Sequence, residues 1–144
     1  METQNYANHR RYVPLFHMVL FPIAALTAIG SLVNLFQSWG DHQRLYSASL
    51  IAVLAICMPM LMFFCRIFAL KAQDRAIRAE ENLRHFVLTG ELPDSRLTVL
   101  QIVALRFAPD NEVVPLAKKA ADEAMTPDAI KRAIRKWRPD TYRA

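Results

Sequence analysis

Apolar residues dominate two stretches, Val13 to Phe36 and Leu45 to Leu70, which together fill about a third of the 144 residues. Inside them the only histidine or charged side chains are His17 and Arg66. Each stretch exceeds the ~20 residues a helix needs to cross ~30 Å of hydrocarbon. A soluble domain of this size has no core large enough to hide two such helices. The pattern predicts an all-α protein: a two-helix transmembrane hairpin with a small C-terminal cytoplasmic helical bundle. Its parts are an N-terminal interfacial segment (1–12), the hairpin (13–70, with spans 13–36 and 45–70) and a cytoplasmic helical domain (71–144).

The polar break Gln37 to Arg44 supplies the connection, with Gly40-Asp41 as its turn and Trp39 as an interfacial anchor. Tyr6, His9, Arg10, Arg11 and Tyr12 precede the first span as anchors on the other side. Pro22 and Pro59 each remove one backbone hydrogen bond, so a bend is expected at both. Ala24, Ala28 and Ser31 share one stripe of the first helix, and Ala48, Ala52 and Ala55 one stripe of the second. Small side chains let helix backbones approach closely in lipid, where no hydrophobic effect drives association. The first span is too long for the apolar region of a cleaved signal peptide and is expected to be retained.

Beyond Leu70 the pattern stays helical. Lys71 to Thr89 is expected to continue the second span, with Asp74–Arg78 and Glu80–Arg84 as i,i+4 pairs. Ile77, Leu83, Phe86 and Val87 leave a narrow apolar face, and Gly90 ends the helix. Pro93-Asp94-Ser95 is expected to cap a helix over Arg96 to Phe107 that is apolar nearly all round and must be covered. A third helix follows Pro109-Asp110, its start blurred by Pro115. A last one follows Thr126 as N-cap, runs through Ile130, Ile134 and Trp137, and closes at Arg138-Pro139.

Charge sets the orientation. The chain carries a formal +5, and residues 71–144 hold 14 basic against 11 acidic groups. Lys and Arg flank the outer ends of both spans, while the connection holds Arg44 alone. By the bias of basic residues toward the cytoplasm, both termini face that side. Six basic groups fall in the last 14 residues, and Lys131, Arg132, Arg135 and Lys136 form a basic helix face that suits anionic lipid headgroups. Nucleic acid is not expected as a partner, because no stacking platform or recognised motif accompanies that face.

FALKAQDRAIRAEENLRHF (Phe68 to Phe86), LRFAPD (Leu105 to Asp110) and QNYANHRRYVP (Gln4 to Pro14) resemble a family of small bacterial two-span membrane proteins of unknown function. The resemblance covers essentially the whole chain. It implies a bacterial inner-membrane setting, and it brings neither an activity nor a catalytic residue.

Site chemistry is sparse. Ionisable groups inside membrane helices point to function by default, which singles out His17 and Arg66 as a lipid or polar intramembrane contact. The bland alternative has Arg66 snorkelling to the headgroups and His17 resting at the interface with Tyr12. One intramembrane histidine is poor support for haem. Asp74, Glu80, Glu81 and His85 lack the spacing of bundle metal sites. Cys57 and Cys65 read as small hydrophobes. With three glycines and no nucleotide-binding or hydrolase motif, no enzyme activity, metal or cofactor is expected. The expected role is a membrane-anchored interaction or assembly protein whose partners are membrane lipids and either a second copy or another membrane protein. The alternatives are a homo-oligomeric pore lined by Thr27, Ser31 and Asn34, or an accessory subunit of a membrane complex.

Overall fold

A computed structural model describes residues 4–9 and 12–140. Arg10, Arg11 and Arg143, which entered the charge argument, lie outside the described residues. Every described element is helical: α1 (Leu15–Gln37), α2 (His42–Thr89), α3 (Val99–Leu105), α4 (Asp110–Asp122) and α5 (Pro127–Ala133). The chain divides into two units, Tyr12–Phe68 on the one hand and Met1–Arg11 with Ala69–Ala144 on the other. Helix α2 supplies residues to both.

In the unit Tyr12–Phe68, the first six residues of α1, Leu15–Leu20, wind as a π-helix, and Phe21 N–H donates back to Phe16 O. The switch to α-helical winding at Phe21–Gln37 falls beside Pro22, whose ring nitrogen cannot donate to the preceding turn. Sequence reasoning expects a bend there; the wider winding is how the helix accommodates the proline. Helix α2 continues unbroken through Pro59. Between the helices Gly40 takes φ +99°. Asp41 Oδ1 accepts from the N–H groups of Gln43 (3.1 Å) and Arg44 (3.2 Å), the donors that open α2. Both helices are long and apolar enough to cross a membrane, and little of them is covered: 6% of the apolar window of α1 is buried and 17% of that of α2. The covered positions are small. Ser31, Ala48, Ala52 and Ala55 are buried, while Leu15, Leu26 and Phe36 are exposed.

The second unit is built on α3, α4 and α5. Leu97, Ile102, Leu105, Phe107, Val113, Leu116, Ile130 and Ile134 join five alanines in one core, flanked by Val114, Met125 and Trp137. Phe107 and Ile130 are completely buried, each stabilising the unit by ~1.5–3 kcal/mol relative to exposure. The covering expected for α3 is one-sided, since Leu100 remains exposed.

Helix α3 starts at Val99 rather than Arg96, because Thr98 rather than Asp94 or Ser95 caps it. Thr98 and Gln101 form a reciprocal capping box, and Gln101 Nε2 donates to Met125 O at 2.7 Å. Asp94 instead closes the preceding turn, accepting from Arg96 N–H at 2.9 Å. Helix α4 runs through Pro115, giving up one backbone bond. It ends in a Schellman turn, with Ala124 at φ +47° and Met125 N–H donating to Ala120 O at 3.0 Å.

Thr126 and Pro127 open the last helix as expected. It stops at Ala133, however, and does not extend through Trp137. Ile134 is extended (ψ 121°), which keeps its side chain buried and lets Arg138 N–H donate to Phe107 O at 2.7 Å. A further helical turn would forfeit that bond.

Candidate functional site

His17 lies in the π-helical turn, where its Nδ1–H donates to Val13 O at 2.9 Å. Its ring packs on Tyr12 (4.6 Å between centroids) and Phe16 (5.1 Å). Arg66 is half-buried and has no hydrogen bond or ion pair among the described residues, so nothing joins it to His17. Ser31, one of three candidate pore-lining groups, is buried, and its hydroxyl donates to Ala28 O at 2.7 Å.

The four basic residues proposed to face headgroups separate. Lys131 and Arg132 lie on α5, whereas Arg135 and Lys136 follow its end. The expectation of one continuous basic helix face over 131–136 is therefore corrected by the extended residue Ile134. Arg132 Nε donates to Asp128 Oδ2 (2.9 Å) and to the Tyr6 hydroxyl (3.1 Å). Its guanidinium also covers the Tyr6 ring at 5.0 Å. Lys131 Nζ donates to His9 Nε2 at 3.2 Å. Arg135 N–H donates to Glu112 Oε2 at 3.0 Å, on the rim of a cleft of about 480 Å³ lined also by Asn111, Pro115 and Lys119.

Residues 4–9 thus dock on the helical unit. Tyr6 O–H donates to Asp128 Oδ1 at 2.6 Å. The Gln4 amide exchanges two bonds with the Asp140 backbone. His9 Nδ1–H donates to Tyr6 O at 2.6 Å, which leaves Nε2 as the acceptor for Lys131. The His9 ring touches both Phe107 (5.9 Å) and Trp137 (5.7 Å), and those two rings meet at 4.8 Å. Arg106 covers the Phe107 ring at 4.4 Å while its Nε pairs with Asp140 at 2.9 Å.

A second hub centres on Arg84, whose side chain is 13% exposed. It donates to Glu81 (2.9 Å), Asp110 (2.6–2.7 Å) and the carbonyl of the buried Ala108 (2.8 Å). Glu81 is only 10% exposed and also meets Arg138 at 3.5 Å. The expected Glu80–Arg84 and Asp74–Arg78 pairs are not formed. Arg84 turns to Glu81, because the Glu81 side of α2 is where Asp110 and Ala108 lie.

Sequence reasoning missed both hubs. Six of their members, Tyr6 and His9, Glu81 and Arg84, Phe107 and Asp110, come from the three blocks that carry the family resemblance, whereas their partners between Asp128 and Asp140 lie outside those blocks. That coincidence was the available signal. Electrostatics follow the contacts: the Tyr6 hydroxyl, with Arg132 behind it, holds the Asp128 carboxyl below the usual carboxylate range. Arg96 holds Asp94 down at about 2. Among the described residues no cluster of three or more His, Cys, Asp or Glu side chains could hold a metal ion.

The structure therefore defines an all-helical protein with two helices long and apolar enough to cross a membrane and a small helical unit stapled by its own N-terminal segment. The chain belongs to DUF6526, a family of unknown function, matched across residues 1–144. No curated protein and no solved structure matches it.

Proposed function

We propose that this protein is a non-enzymatic, membrane-anchored interaction protein of the bacterial inner membrane. Helix α1 and the apolar part of α2 cross the bilayer as a hairpin, and the helical unit stands in the cytoplasm. The observation that carries this reading is the bare apolar surface of both helices: Leu15, Leu26 and Phe36 in α1, and Val53, Leu54 and Phe63 in α2, are each more than half exposed. Soluble proteins rarely expose apolar patches beyond a few hundred Å², whereas lipid accepts such a surface along a whole helix. With 23 residues, α1 is about 35 Å long, enough to span ~30 Å of hydrocarbon.

Two features support the hairpin. The stripes expected to pack contain Ser31, Ala48, Ala52 and Ala55, which are the buried helical positions between Tyr12 and Phe68. Docking of Gln4, Tyr6 and His9 on residues 128–140 requires both ends to share one side, hence an even number of crossings. The basic flanks assign that side to the cytoplasm.

The test is alkaline carbonate extraction combined with reporter fusions at Ala144 and in the Ser38–Asp41 connection. Expected are retention in the membrane fraction, a cytoplasmic C-terminus and an outward-facing connection. Extraction into the soluble fraction, or an exported C-terminus, would overturn the reading.

A further inference from the structure

The water-facing part of α2 has two unlike faces. One carries buried Ile77 with Glu81 and Arg84, committed to the helical unit. A second face, turned away from the first, carries Leu83 and Phe86, which are 64% and 49% exposed, with Val87 (75%) at its edge. Upstream on the same stripe stand Ala72, Ala76 and Ala79, also exposed. From Ala72 through Ala76, Ala79 and Leu83 to Phe86 the steps alternate four and three residues. That 3.5-residue period is the one by which a helix keeps a single seam turned toward a partner helix.

Oppositely charged residues flank the seam. Arg75 lies on one side and Glu80 on the other, five positions later, and neither has an ion pair among the described residues. In a parallel two-fold pair, Arg75 of one chain meets Glu80 of the second copy, twice by symmetry. An antiparallel pair would set like against like. We infer that this face of α2 binds a second copy of the same chain, in parallel, with Leu83 and Phe86 as its apolar anchors and reciprocal Arg75–Glu80 ion pairs fixing register.

This inference rests on the membrane reading, which aligns the α2 helices of two chains inserted in the same direction before they meet. Two heptads are short for a free coiled coil, but confinement to one bilayer raises the effective concentration of each copy for the other.

The full-length protein in native membranes, with Cys57→Ser and Cys65→Ser, provides the test. Leu83→Cys is expected to form an oxidative crosslink between copies. Arg78→Cys, on a different side of the helix, is not. Native mass spectrometry in mild detergent then reads the dimer fraction without a crosslink. Arg75→Glu alone, or Glu80→Arg alone, should weaken pairing by about fivefold through two like-charge contacts. Arg75→Glu combined with Glu80→Arg should restore it. Failure of the double variant to restore pairing, or equal crosslinking from Leu83→Cys and Arg78→Cys, overturns the inference and leaves the anchoring reading intact. Carbonate extraction of the same protein into the soluble fraction overturns the anchoring reading, and the inference with it.

Discussion

Replacing Arg84 by methionine keeps most of the side-chain volume and removes the charge, so it isolates what the guanidinium supplies. Three partners lose their donor, and they differ in weight. Asp110 is 70% exposed, so its pair contributes ~0–1 kcal/mol. The Ala108 carbonyl is fully buried, and loss of a charged donor there costs ~1.5–3 kcal/mol. Glu81 is the costlier partner. A buried carboxylate stripped of its cation costs ~3–5 kcal/mol, reduced here because Arg138 remains at 3.5 Å. These effects overlap, and a total of about 3 kcal/mol is the expected loss. For a unit of this size that lowers the midpoint of thermal unfolding by roughly 15 °C. The full-length protein in detergent carrying Trp39→Phe leaves Trp137, packed against the Phe107 ring, as the sole tryptophan reporter of this unit. Adding Glu81→Gln to Arg84→Met should recover roughly 1–2 kcal/mol, since the stranded carboxylate is the main penalty. A loss below about 1 kcal/mol, or strictly additive single and double variants, would refute the assignment of Arg84 as the hub.

Ala124→Gly should stabilise the helical unit by about 0.5–1 kcal/mol in denaturant unfolding, because φ +47° suits glycine and strains alanine; a destabilised variant would contradict this. Asp94, held at about 2 rather than its ordinary 3.8, contributes stability fully present above that ordinary value and lost as pH falls through about 2. In Arg96→Gln the Asp94 carboxyl, followed by NMR, should titrate above about 2 and toward its ordinary 3.8, with the backbone N–H at position 96 still holding it partly down, and an unmoved titration would disprove the pairing. Tyr6→Phe should raise the titration of Asp128 toward the usual carboxylate range, since the Tyr6 hydroxyl is the largest cause of its depression. It should also speed hydrogen exchange in residues 4–9. Unchanged values on both counts would mean that the segment does not dock in solution.

Legibility in the sequence tracked the distance over which an interaction acts. Apolar runs located α1 and the start of α2 within a few residues, because length and composition alone decide that pattern, and the breaker-free stretch Lys71 to Thr89 carried α2 to its end. Thr126-Pro127 marked the start of α5 for the same local reason. The true cap of α3 was equally local, yet Pro93-Asp94-Ser95 is the stronger turn signal and drew the boundary three residues early. The end of α5 was not local at all: Ala129, Ile130, Ala133, Ile134 and Trp137 keep helical spacing, but the backbone bond from Arg138 to Phe107 outweighs it. The staple of Tyr6 on Asp128 joins residues 122 positions apart, beyond the reach of any periodicity.

That staple changes what sets the orientation of the chain under the membrane reading. Charge counting treats Arg10, Arg11 and the residues after Leu70 as separate votes for the cytoplasmic side, each open to reversal. Docking couples the votes. Exporting the N-terminus alone would break the contacts of Gln4 with Asp140, Tyr6 with Asp128 and Arg132, and His9 with Lys131, Phe107 and Trp137. Each polar bond contributes only ~0.5–1.5 kcal/mol, but several broken together rival the ~2.5–3.5 kcal/mol scale on which a single charge resists a place at the bilayer centre. Neutralising Arg10 and Arg11 should therefore leave both ends on one side in the intact chain. With Tyr6→Phe and His9→Ala added, the same neutralisation should release the N-terminus. A topology that follows the arginines alone would show that the staple forms only after insertion is complete.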